Sequence, residues 1–220
     1  STLVPSRRGT NQGEEMSGGG DDPDSSMAAQ VCDQIRSVFS PPAPPSPYGS
    51  PTEVLVEEIA AVAGGAAGHR VFVHGVGREG LMLRALCMRL YHLGVPAHPV
   101  GDVTTPPASP GDLLVASAGP GAFPTVGAIC GAARGAGARV VLITARPEAC
   151  RGADRIAFLP ARTMADAEGE DHSGAPRVRL PMGSLYEGAL FVLFEMVVCR
   201  LAEVLGRTPQ EMRSRHTNLE

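Results

Sequence analysis

Not one lysine occurs in the 220 residues, so all 19 basic side chains are arginines. A guanidinium stays protonated and forms no Schiff base with a carbonyl, which removes imine-forming aldolase chemistry from the possible mechanisms. The five cysteines, Cys32, Cys87, Cys130, Cys150 and Cys199, include no pair at metal-ligand spacing. Their odd number and scatter, with three in apolar helical stretches, point to reduced thiols and a cytoplasmic compartment. No apolar run reaches the roughly 18 uncharged residues of a membrane span. The longest candidate, residues 190–205, carries Glu195, Arg200 and Glu203. A targeting peptide is not expected at the start, because Glu14, Glu15, Asp21, Asp22 and Asp24 make it acidic. The net charge of −4 comes with interspersed signs and no basic stripe, so neither nucleic acid nor membrane is an expected partner.

What is present reads as one domain. Residues 1–26 are rich in Gly, Ser, Asp and Pro and have little to bury, so they are expected to be a disordered tail, with a single domain over residues 27–220. Val31, Ile35 and Phe39 recur at helical spacing and predict a helix over 27–39, stopped by a stiff proline-rich connector. Ser50-Pro51-Thr52-Glu53 combines a capping serine, proline at the first helical position and a glutamate three residues after the cap, a signature for a helix running to residue 62. Strands and helices then alternate. Strands are predicted over 70–74, 95–100, 113–116, 139–143 and 155–159, the second an edge strand because it holds two prolines. Helices are predicted over 80–93 and 125–136, closed by Gly94 and Gly137. Strands that read as unbroken apolar runs are buried on both faces, so the expected architecture is α/β, a three-layer, doubly wound, five-stranded parallel sheet flanked by helices. A loop over 160–181 carries Glu168, Glu170, Asp171 and His172 without metal-binding spacing. The longest helix follows over 183–205, apolar nearly all round, and Thr208-Pro209-Gln210-Glu211 repeats the helix-start signature.

Three places carry candidate chemistry. Gly75-Val76-Gly77-Arg78-Glu79-Gly80 joins a strand to a helix and matches G-x-G-x-x-G, with Asp102 where a ribose-binding acid would stand. It reads either as a dinucleotide loop through Gly75, Gly77, Gly80 and Asp102 or as a tight strand-to-helix turn. A second loop, Ser117-Ala118-Gly119-Pro120-Gly121-Ala122-Phe123, leaves the same edge of the sheet, and the two frame a crevice. Backbone N–H groups there suit an anion, but Pro120 and Pro124 each remove a donor and Glu79 brings a negative charge. In Ser184-Leu185-Tyr186-Glu187 the spacing is that of a capping box. The same Glu187, half-buried at a helix start, would also serve as a base near neutral pH. His216, on composition, is a solvated tail residue.

Taken together, these strings resemble the 6-phospho-3-hexuloisomerases of the sugar-isomerase (SIS) superfamily. The resemblance runs from residue 71 to the C-terminus through the Arg78 turn, Thr104-Thr105-Pro106, Gly111-Asp112-Leu113-Leu114, Pro181-Met182-Gly183-Ser184-Leu185-Tyr186-Glu187 and Arg215-His216-Thr217-Asn218-Leu219-Glu220. It implies a five-stranded parallel sheet, a dimer or tetramer of identical chains, and cofactor-free, metal-free interconversion of 3-hexulose 6-phosphate and fructose 6-phosphate through an enediol. It also implies Glu187 as the proton-transferring carboxylate and His216 as an assisting imidazole, within or between subunits. Gly77, Arg78, Glu79, Thr104, Thr105, Ser117, Gly119, Gly121, Thr125 and Ser184 would line the sugar-phosphate site.

Two departures from the family pattern stand out. Glu79 occupies the place of a serine, and residues 118–123 replace Ser-Gly-Ser-Gly-Glu-Thr, so the phosphate-holding hydroxyls are missing. Three readings are open: an isomerase whose phosphate moves to donors such as Ser117, Thr125, Arg78 or Arg146; a non-catalytic SIS module binding a sugar derivative or a partner; and a dinucleotide-binding protein.

Overall fold

The computed structural model describes residues 22–40, 46–65, 68–166 and 180–219. The acids Glu168, Glu170 and Asp171 and the nearby His172 lie outside the described residues. Strands β1 (Val71–His74), β2 (Ala97–Pro99), β3 (Leu113–Ser117), β4 (Arg139–Thr144) and β5 (Arg155–Phe158) form one sheet in the order β2-β1-β3-β4-β5. Every neighbouring pair is parallel.

Alternation along the strands builds two cores. Val71 and Val73, Leu113 and Val115, and Val141 and Ile143 pack on one face. Phe72, Leu114, Ala116, Val140 and Leu142 pack on the other. Successive side chains of a strand point to opposite faces, so a run apolar at every position needs cover on both sides. Helices α2 (Pro51–Ala63), α3 (Gly77–His92) and α5 (Ser184–Val204) supply it on the first face, with α1 (Pro23–Val38) packed against α5. Helix α4 (Pro124–Gly135) covers the second, through Val126, Cys130 and Ala133. Helix α6 (Pro209–Ser214) packs on α3. Among the described residues no helix is long and apolar enough to cross a membrane.

Element boundaries shift where local chemistry differs from the expected signals. Helix α1 begins at Pro23, inside the predicted tail, because Asp22-Pro23-Asp24 places a proline at the first position and an acid in the first turn. Helix α3 begins at Gly77 rather than Gly80. Ser50 precedes α2, but its side chain makes no capping bond. At Thr208 the box is complete: Thr208 accepts from Glu211 N–H and Glu211 accepts from Thr208 N–H.

Two buried acids fasten elements together. Asp112, 1% exposed, accepts the N–H groups of Arg70 and Ser109, both at 2.8 Å, and joins the entries to β1 and β3. Glu58 of α2 receives Arg139 of β4 on both oxygens, at 2.8 and 2.6 Å. Strand order places the site: β1 and β3 are adjacent, yet α3 leaves β1 toward one face and α4 leaves β3 toward the other. The C-terminal ends of these strands therefore border a crevice at a topological switch point.

Leu190 of α5 is fully buried, whereas Phe191 beside it is 54% exposed. Leu190→Ala is expected to cost about 2–5 kcal/mol in urea unfolding through lost burial and a residual cavity. Phe191→Ala is expected to cost much less, and comparison of the two unfolding midpoints checks this.

Candidate active site

Glu79 stands in the first turn of α3 and is 6% exposed. Its carboxylate crosses the crevice to the end of β3. There Ser117 Oγ donates to Oε2 at 2.5 Å, and Gly119 N–H lies 3.1 Å from Oε2 and 3.2 Å from Oε1. Tyr186, in the first turn of α5, closes the back of this cluster with its hydroxyl 3.2 Å from Ser117 Oγ. A Cβ on Gly119 would fall 2.8 Å from the Tyr186 ring and 3.1 Å from Glu79 Oε1, so only glycine fits between them. Burial lifts the Glu79 carboxyl above its ordinary range; the Ser117 and Gly119 hydrogen bonds oppose that lift and the charge of Glu187 adds to it. Burial likewise holds the Tyr186 phenol well above its usual value, with the Glu79 charge acting in the same direction.

Glu187 lies on the next position of α5. The capping-box reading of its segment is not what the structure contains. The residue before α5 is Gly183 at φ 78°, with no side-chain cap, and Ser184 Oγ accepts instead from Arg78 Nη1 at 2.8 Å. Arg78 Nη2 also donates to the carbonyl of Met182 and stands 3.2 Å from Glu187 Oε2. That oxygen has a charge partner but accepts no hydrogen bond, so the pair is off the hydrogen-bonding axis. The Glu187 side chain is 16% exposed. Burial raises its pKa, Arg78 lowers it, and the net direction is up. Met182 itself sits at φ 49°. A non-glycine residue there costs of the order of 1–3 kcal/mol, and the strain presents its carbonyl to Arg78.

The other expected residues are distributed around this centre. Gly77 opens α3 at φ 57°, with Arg78 next to it. Thr104 and Thr105 follow β2, one strand away from the switch point, and the Thr105 hydroxyl is spent on the Pro99 carbonyl at 2.7 Å. Gly121 packs on Arg146 and Ala149, and Thr125 is exposed in the first turn of α4. Arg146, expected as an alternative phosphate donor, is ion-paired with Asp166.

His216 is not brought to Glu187 within the chain. Its ring stacks on His92, the last residue of α3, with centroids 5.4 Å apart and planes at 22°. Glu187 meets α3 at Arg78, in the first turn. At 1.5 Å per residue these two points on α3 are about 20 Å apart.

Sequence reading passed over two residues. Tyr186 looked like part of an apolar string, and its only signal was the position beside Glu187. His74 ends β1 with Nε2 buried and without a hydrogen-bond partner, and burial lowers its pKa toward the neutral form. Its signal was a polar residue closing an apolar strand just before the glycine turn. Among the described residues no group of three His, Cys, Asp or Glu is placed to hold a metal ion.

The glycine turn serves packing rather than a pyrophosphate. A Cβ on Gly80 would lie 2.5 Å from the Gly75 carbonyl, so the glycines let α3 close onto β1. Asp102 is paired with Arg84 at 2.9 Å. Five parallel strands in this order, with a carboxylate pair and an arginine at the switch point, define a doubly wound α/β protein with a polar crevice between β1 and β3.

Relatives make the assignment particular. A 3-hexulose-6-phosphate isomerase of Mycobacterium gastri is 40% identical over 153 residues, which is 69% of this chain and 74% of that protein. One from Bacillus subtilis is 34% identical over 154 residues, 69% of this chain and 80% of that protein. A solved Methanococcus jannaschii structure, from which a 3-hexulose-6-phosphate isomerase function was inferred, matches with a TM-score of 0.66 at 22% identity, covering 90% of this chain and 99% of its own. No protein-family model matches the chain. The chain belongs to the 3-hexulose-6-phosphate isomerase family, which favours the isomerase reading over the regulatory and dinucleotide readings.

Raised carboxyl pKa values have a consequence for stability. A folded state that holds a proton on Glu79 or Glu187 more tightly than the unfolded chain gains stability at low pH and loses it as pH rises above the ordinary value of 4.5 and through the folded pKa. Glu79→Gln is expected to flatten this decline, so that its Tm changes less between mildly acidic and neutral pH than that of the unmodified chain in parallel calorimetric scans.

Proposed function

We propose that the chain is a ketose isomerase that interconverts 3-hexulose 6-phosphate and fructose 6-phosphate by proton transfer through an enediol. The observation that carries this reading is the state of Glu187. Its side chain is partly exposed, does not complete a capping box, is balanced by Arg78 and is lifted in pKa by burial. Such a group is a base of useful strength near neutral pH. Membership of the family supplies the substrate class.

The chemistry balances with protein groups alone. Glu187 takes the proton from C2 of the 3-ketose, giving the 2,3-enediol as the carbonyl oxygen at C3 gains a proton. Return of the carbon-bound proton to C3, with loss of the O2 proton, leaves the carbonyl at C2. Arg78 holds the carboxylate in place and favours its charged form. Ser184, whose oxygen accepts from Arg78 and whose hydroxyl proton is left to donate, is assigned to orient a sugar hydroxyl.

His216 joins this scheme from a second copy of the chain. On its own protomer it lies at the far end of α3, so an assisting imidazole reaches the crevice in a symmetric dimer or tetramer. A cytoplasmic enzyme of this kind needs no further partner.

In heavy water, fructose 6-phosphate is expected to acquire deuterium on its carbon skeleton in the presence of the protein. Glu187→Gln should slow this exchange by about 10²–10⁴-fold, and exchange that survives the substitution would sink the assignment. Arg78→Gln removes the charge that lowers the Glu187 pKa, so the acidic limb of kcat/KM should move to higher pH. Mixing inactive Glu187→Gln and His216→Ala subunits should restore part of the activity if the site is shared between copies, and none if each chain supplies both groups.

A further inference from the structure

The groups that close on Glu79 form an anion cradle. Ser117 offers a hydroxyl, Gly119 a backbone N–H, and both lie beside the first turn of α3, where a helix dipole favours negative charge. The anion in the cradle is a side chain of the protein itself, buried and backed by Tyr186. A phosphate dianion brought to this edge of the sheet finds the Ser117 and Gly119 donors occupied and meets the Glu79 carboxyl, with Glu187 close enough to influence it. The neighbouring cations are committed as well. Arg78 serves Glu187, Ser184 and the Met182 carbonyl, and Arg146 serves Asp166.

We propose that Glu79 is an internal anion that takes the Ser117 and Gly119 donors in place of a ligand's anionic group, so that the crevice selects the polyhydroxy carbonyl part of its substrate and gains little from a phosphate. The inference rests on the isomerase reading of the same crevice. It concerns which ligands enter rather than how the proton moves. It makes Glu79 a specificity-determining residue, and the ligand class that fits is a ketose, phosphorylated or not.

Calorimetric titration of the full chain with fructose 6-phosphate, fructose and inorganic phosphate tests it. The unmodified protein should bind fructose 6-phosphate less than about tenfold more tightly than fructose, and Ser117→Ala should leave that ratio unchanged. Glu79→Ala frees the donors without adding one. It should tighten fructose 6-phosphate and inorganic phosphate by about tenfold or more while leaving fructose unaffected, and Glu79→Ala with Ser117→Ala should lose the gain. A strong phosphate preference in the unmodified chain that disappears in Ser117→Ala overturns the proposal, as does a folded Glu79→Ala variant with no gain. These ratios do not depend on turnover, whereas the deuterium exchange does not depend on affinity, so failure of one reading is distinguishable from failure of the other.

Discussion

Where β1 and β3 run side by side, their chains leave the sheet toward opposite faces, and the polar groups at the two strand ends border a gap that no strand can fill. The carboxylate of Glu79 spans this gap. It ties the first turn of α3 to Ser117 and Gly119 at the end of β3, and Tyr186 ties the same cluster to α5. In a low-dielectric setting an unpaired carboxylate and unpaired donors would each be costly, and here they satisfy one another. The positions of Arg78 on α3 and Glu187 on α5 follow, because both lie one residue from members of this cluster.

Charge around the crevice is divided rather than pooled. Glu79 is held by neutral donors, Glu187 by a guanidinium, and the Glu187 charge adds only a smaller share to the lift that burial gives Glu79. A carboxylate surrounded by hydrogen bonds has little left for a ligand, whereas one opposed by an off-axis cation, with an oxygen that accepts no hydrogen bond, retains its basicity. Two glutamates at neighbouring places thereby take different duties, one structural and selective, the other suited to proton transfer.

The expected architecture was legible because its signals are short-range. Apolar runs at 71–73, 113–116 and 140–143 have to be covered on both faces, and the helices between them end at Gly94 and Gly137, both left-handed in the structure. The two capping signals show where such reading stops. Thr208 and Glu211 find each other because the ion pair of Glu211 with Arg207 of the same segment involves the other carboxylate oxygen and leaves the box intact. Ser184 and Glu187 have the same spacing, but Arg78, 106 residues earlier than Ser184, takes the serine hydroxyl and opposes the glutamate. A long-range charged partner outweighs a local neutral one, and no local pattern announces it. Glu79 was legible as a departure from the family's serine, not as the occupant of a cradle, because Ser117 and Gly119 meet it only once α3 has folded onto β3.

By itself the sequence determined a parallel α/β sheet with its glycine turns on one edge, the absence of lysine-based chemistry, and Glu187 as a candidate base, since periodicity, turn residues and side-chain type are properties of neighbours along the chain. Only the tertiary structure decided that Glu79 is enclosed by the end of β3, that Glu187 is paired with Arg78 instead of capping its helix, and that His216 rests on His92 at the opposite end of α3. Each of these depends on which groups meet across the switch point, and that is set by the order of strands and the faces to which their helices turn.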